Sequence, residues 1–78
     1  MDARYLPTTD EGKLWRLAEE CAEVIHCASK IGRFGLEGDS WWRQHGKKSP
    51  MQRMLDELND LEHAIAEYRA ALKEQEQG

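Results

Sequence analysis

Two acidic clusters supply the residues in this chain whose types and spacing could do chemistry. One is Glu19-Glu20-Cys21-Ala22-Glu23, the other Asp56-Glu57-Leu58-Asn59-Asp60. Each is embedded in an apolar helical pattern. Carboxylates this close repel one another, and beside a core they lose hydration. A short chain that keeps both clusters implies a compensating cation, and hard carboxylate oxygens suit Mg²⁺ or Mn²⁺. The chemistry this points to is a divalent-metal site, built from two helices, that handles a phosphorylated substrate.

The elements that must position these acids can be read around them. Thr8 and Glu11 fit a capping box, and Asp10 and Glu11 favour the first turn of a helix by charge. The spacing predicts a helix over about residues 10–31, stopped at Gly32 and Gly35. Its apolar positions are Leu14, Leu17, Ala18, Cys21, Val24, Ile25, Ala28 and Ile31, which define one core face. At about 100° per residue, Glu20 lies about 100° from the middle of that face, and Glu23 about 160° away on the same side. Glu19 falls on the opposite flank. Glu20 and Glu23 are therefore a pair, one turn apart, at the border of the predicted core.

Residues 32–48 read as a long glycine-containing loop with room for a helical turn at 39–44. Ser49-Pro50-Met51-Gln52 then starts a second helix: Ser49 is the cap, Pro50 the first helical residue, and Gln52 closes the capping box. It is expected over about residues 50–74, with Met51, Met54, Leu55, Leu58, Leu61, Ile65, Tyr68 and Leu72 as its core and a fraying polar tail. Shifting the first helix by 37 residues lays Leu14 on Met51, Leu17 on Met54, Ala18 on Leu55 and Cys21 on Leu58. The same shift lays Glu20 on Glu57 and Glu23 on Asp60. Each acidic pair makes the same angle with its own core face. In an antiparallel hairpin the four carboxylates can converge on one cation.

The bulk properties bound the rest. With 78 residues the chain is one small all-α domain, residues 1–78. Its net charge of −4 argues against a duplex nucleic-acid footprint. No apolar run reaches the roughly 20 residues of a membrane span, and the N-terminus lacks the apolar stretch of a signal peptide. Cys21 and Cys27 cannot pair on one helix and are expected as buried thiols in a reducing cytoplasm. A domain under about 80 residues rarely builds enough core alone. A homo-oligomer, at least a dimer, is the expected remedy.

Other side chains carry two readings each. From Lys30 to Arg53 six basic residues stand against Glu37 and Asp39, a net +4 inside an acidic chain. They are either solvated charges or a cationic lid over a polyphosphate, with Lys30 and Arg33 best placed because they continue the Glu23 side. Trp41 and Trp42 are either packing onto a dimer core or stacking on a nucleobase. His26 and His63 fall on the far flank from the acidic pairs and read as surface residues. Cys27 is a poor Mg²⁺ ligand and reads as packing. Glu62 interrupts the apolar face and either reaches solvent or pairs with another subunit. No Ser/His/Asp set, phosphate-binding glycine loop or zinc pattern is present.

Glu19-Glu20-Cys21-Ala22-Glu23 followed by Glu57-Leu58-Asn59-Asp60 resembles the E-E-x-x-E … E-x-x-D signature of the all-α nucleoside triphosphate pyrophosphohydrolases, the MazG-like superfamily. The stretch from Leu17 to Gly35 is similar to short MazG-like proteins of phages and prophages. The resemblance covers roughly residues 10–70. It implies Mg²⁺-dependent cleavage of a (d)NTP to (d)NMP and pyrophosphate in a bacterial or phage-infected cell. It also implies hairpins that pair into four-helix bundles, as dimers or tetramers. Carried over by position, Glu20, Glu23, Glu57 and Asp60 are the metal ligands and Glu19 orients water; the cation polarises phosphoryl oxygens, and a carboxylate takes the proton of the attacking water. Glu62 departs from the family, which often has an apolar residue there. A phosphohydrolase acting on another diphosphate-containing metabolite, or a non-catalytic helical interaction module, is the alternative.

Overall fold

The computed structural model of the protein describes residues 10–36 and 41–77. It contains α1 (Asp10–Phe34), α2 (Trp41–Gln44) and α3 (Pro50–Gln77). No strand occurs among the described residues. The chain is all-α, and α1 packs against α3 as a helical hairpin. Residues 1–9, with the Thr8 cap, and residues 37–40, with Glu37 and Asp39, lie outside the described residues, as do the side chains of Trp41 and Gln44.

Local chemistry explains where the helices stop. α1 runs through Gly32, beyond the expected end, because a glycine within a helix weakens it by roughly 1 kcal/mol without breaking it. The stop is at Gly35, whose φ of +83° is left-handed, with its N–H donating to the Ile31 carbonyl at 2.7 Å. That is a left-handed glycine cap. α2 ends similarly: Gly46 has φ +63°, and the Lys47 N–H donates to the Trp42 carbonyl at 2.8 Å. The predicted box opens α3. The Ser49 N–H donates to Gln52 Oε1 at 3.0 Å, and the Gln52 N–H donates to Ser49 Oγ at 3.2 Å. α3 outlasts its predicted end, and near its end Gln75 Nε2 donates to Asp10 Oδ2 at 2.8 Å across the hairpin.

The seam between the helices differs from the predicted core. On α1 the buried residues are Arg16 and Glu20, flanked by half-buried Leu17, Val24, Cys27 and Ile31. On α3 they are Ala64 and Ala71, flanked by Met54, Leu61, Ile65 and Tyr68. Much of the predicted core is exposed: Leu14, Ala18, Cys21, Ile25 and Ala28 on α1, and Met51, Leu55, Leu58 and Leu72 on α3. Ile25 is 69% exposed. The reason is geometric. Two helices touch along a narrow strip, whereas each apolar arc here is wide and centred about 90–100° from that strip. Because the helices are antiparallel and both arcs turn in the same sense, they lie on one broad side of the hairpin. The molecule is a slab of 52 × 24 × 14 Å. Its radius of gyration, 15.4 Å, exceeds the about 11.5 Å of a compact chain this long.

Candidate metal centre and adjoining cleft

Glu20 sits at the middle of the seam rather than at its border. It is fully buried, and neither carboxylate oxygen has a hydrogen-bond partner among the described residues. Opposite it on α3 are Glu57 and Asp60. One ligand oxygen from each of Glu20, Glu57 and Asp60 lies within 4.8 Å of the other two. Glu57 is half-buried, and its Oε2 also lacks a partner, whereas Asp60 is exposed. Burial raises the pKa of Glu20, the negative charges of Asp60 and Glu57 add to the rise, and the Arg16 guanidinium opposes it.

Orphaned buried carboxylate oxygens converging from two helices are what a hard divalent cation satisfies. The donor set therefore fits such an ion, with Glu20 and Glu57 on the seam and Asp60 at its edge. Glu23 stands outside this trio. It is exposed and lines a cleft beside it. Glu19 is exposed on α1.

The cleft has a volume of about 410 Å³, within the range of roughly 300–1,000 Å³ seen for small-molecule sites. Its walls come from both helices and the segment between them. From α1 come Glu23, His26, Cys27, Lys30 and Phe34; from α2 comes Trp42; Lys47, Lys48, Pro50, Arg53 and Glu57 complete it. Glu57 belongs to both the carboxylate trio and the cleft wall, so a cation held by the trio would border the cleft. Of the predicted substrate-binding residues, Lys30 and Trp42 line the cleft. Arg33 is not on its wall and stacks instead on Phe34, with its guanidinium carbon 5.9 Å from the ring centroid. Trp41 has no described side chain. Arg43 lies over the Trp42 ring at 4.9 Å. Lys48 is engaged by Asp56.

Several residues differ from their sequence reading. His26 is exposed, as a surface residue should be, but it lines the same cleft as Glu23. Cys21 is exposed rather than buried, while Cys27 is half-buried, and both are free thiols. Glu62 is exposed, in keeping with its solvent reading. Arg16 and Phe34 carry no site reading in the sequence. Arg16 is only 8% exposed, and its Nη1 bonds His63 Nδ1 at 3.0 Å. His63 Nε2 lies 3.6 Å from Glu67 Oε1. A signal for Arg16 existed: the shift of 37 residues that superposes the acids also lays Arg16 on Arg53 and His26 on His63. Both helices thus carry the same series, Arg-x₃-Glu-x₂-acid-x₂-His.

No helix among the described residues is long and apolar enough to cross a membrane. Neither a protein-family model, nor a characterised protein, nor a solved structure matches this chain.

Proposed function

We propose that the protein is a Mg²⁺-dependent nucleotide pyrophosphohydrolase, cleaving a (d)NTP to (d)NMP and pyrophosphate. The observation that carries this reading is the shared position of Glu57. It ties a trio of converging carboxylates to a nucleotide-sized cleft with cations and aromatic rings on its walls. The motif resemblance supplies the reaction class. Glu20, Glu57 and Asp60 hold the cation, and Glu23 adds a carboxylate from the cleft side. A divalent ion bound there supplies polarisation of the phosphoryl oxygens and a more acidic water. Lys30, with Lys47 and Arg53, binds the polyphosphate, and Trp42 offers a face to the base. Glu19, on the exposed side of α1, orients water from outside the trio.

The slab has its second broad side uncovered, and a second copy of the chain is the cover we assign to it. A homodimer, or a dimer of dimers, would bury Leu14, Ile25, Leu55 and Leu72 in a four-helix bundle, as the resemblance implies.

The test is a panel of NTPs and dNTPs with Mg²⁺ and detection of pyrophosphate. Turnover is expected on at least one member, and Glu20→Gln and Asp60→Asn should reduce it to background. Trp42→Ala should raise KM with little change in kcat, by the equivalent of about 1–3 kcal/mol if the ring stacks on the base. An inactive wild-type chain on every member would leave the alternative, a non-catalytic helical module.

A further inference from the structure

The repeated series on α1 and α3 gives the site an internal two-fold symmetry, and the structure breaks it at one end. In an antiparallel hairpin, an Arg16–His63 contact has a symmetry mate, Arg53 with His26, because the shift of 37 residues exchanges the members of the two pairs. The first pair is joined. Arg16 is buried, and its guanidinium donates to the exposed His63 at 3.0 Å, with Glu67 on the far side of the imidazole. The second pair lines the open cleft. The acids follow the same division. Asp60 joins the carboxylate trio, while its mate Glu23 lines the cleft with His26 and Arg53.

We infer that His26 and Arg53, on facing helices, form a phosphoanion-binding pair, the open counterpart of the hydrogen-bonded Arg16–His63 pair. In that bonded pair the guanidinium finds its acceptor in the imidazole. On the open side that acceptor is an oxygen of a phosphate or diphosphate group, held between a guanidinium fork and an imidazole N–H. Arg53 occupies the first turn of α3, a place where the helix dipole disfavours a cation and favours an anion beside it. Glu57, four residues further along α3, leads from this pair to the carboxylate trio. The anion pair stands on its own and does not rest on the nucleotide reading above.

The experiment titrates the full chain with inorganic pyrophosphate in EDTA, following binding by calorimetry and the His26 imidazole by NMR. The wild type should bind, with the largest imidazole shift at His26 and little at His63. His26→Ala and Arg53→Gln should each weaken binding at least fivefold. Arg69→Gln, which removes the same charge from an exposed helical site, should change it less than twofold. His26→Gln, which restores an N–H donor, should recover part of the loss, and circular dichroism of each variant reports the helices. Absence of binding by the wild type, or equal effects of Arg53→Gln and Arg69→Gln, would overturn the inference. A separate Mn²⁺ melting series on the same samples isolates the metal reading. Pyrophosphate binding without a Mn²⁺ response sinks the metal centre alone, and a Mn²⁺ response without pyrophosphate binding sinks the anion pair alone.

Discussion

The two broad sides of the slab have opposite characters. One carries the Arg, Glu, acid and His series of both helices, with Glu20 turned into the seam at 0% exposure. The other carries Leu14, Ile25, Leu55 and Leu72, each about half exposed or more. A monomeric domain normally does the reverse, burying large apolar side chains and leaving unpaired charges in water. The hairpin is organised around its acids. Its large apolar side chains lie on the far side, and the apolar residues buried at its seam are the small Ala64 and Ala71. Small residues let the backbones approach, and that approach brings carboxylates from two helices within 4.8 Å. Such an arrangement costs stability, which a cation on one side and a second copy of the chain on the other would both restore.

Three substitutions test this contrast. The largest effect belongs to the seam. Ala64 is 1% exposed, so Ala64→Leu forces α1 and α3 apart. Overpacking of a core typically costs about 1–3 kcal/mol, and here the separation should also abolish the Mn²⁺-dependent rise in melting temperature. Unchanged melting and an intact Mn²⁺ response would mean that close approach at the seam does not assemble the trio.

A second substitution sharpens the comparison through pH. The pKa of Glu20 is raised in the folded chain above its ordinary value of 4.5, first by burial and then by Asp60. The folded state therefore holds this proton more tightly than the unfolded state. Without metal, the stability linked to that proton is fully present below the ordinary value. It is lost as pH rises through the raised folded value. Glu20→Gln removes the loss. In EDTA at pH 7 this variant should melt higher than wild type, while below pH 4 the two should converge. It should also gain nothing from Mn²⁺. A variant less stable than wild type at pH 7 would show that the buried charge is better compensated than its surroundings suggest.

The smallest effect belongs to neither side. Ser49→Ala removes the Oγ that accepts from Gln52 at the start of α3, a loss of about 1 kcal/mol. Combined with Glu20→Gln it should add, since the cap lies two helical turns from Glu57. Strong non-additivity in melting experiments would indicate that the start of α3 moves with the acids.

Much of the local structure was legible without coordinates. Ser49-Pro50-Met51-Gln52 forms the capping box that its residue types dictate, because those side chains satisfy backbone groups within one turn. The 37-residue repeat picks out Glu20, Glu57 and Asp60, whose oxygens the structure brings together, and equally Glu23, which it leaves apart. Gly32 and Gly35 bracketed the end of α1, but only Gly35 adopts the left-handed conformation that stops it. Arg16 was overlooked because a basic residue four before an acid is ordinary in helices. Its burial depends on His63, 47 residues away. Phe34 was placed in a loop, and its part in the cleft depends on α2 and α3 closing the other wall.

The helical character of the chain, the start of α3 and the fixed spacing of two acidic series are all written in the order of its residues. These follow from interactions within one or two turns. Periodicity also located an apolar arc on each helix, but an arc names no partner. That α1 and α3 meet along Arg16, Glu20, Ala64 and Ala71, about 90–100° from the middle of those arcs, is set by how the helices pack. Packing likewise joins one Arg–His pair by a hydrogen bond and leaves the other lining a cleft. Both outcomes depend on contacts between helices, where small side chains and paired charges compete with apolar burial for one narrow strip.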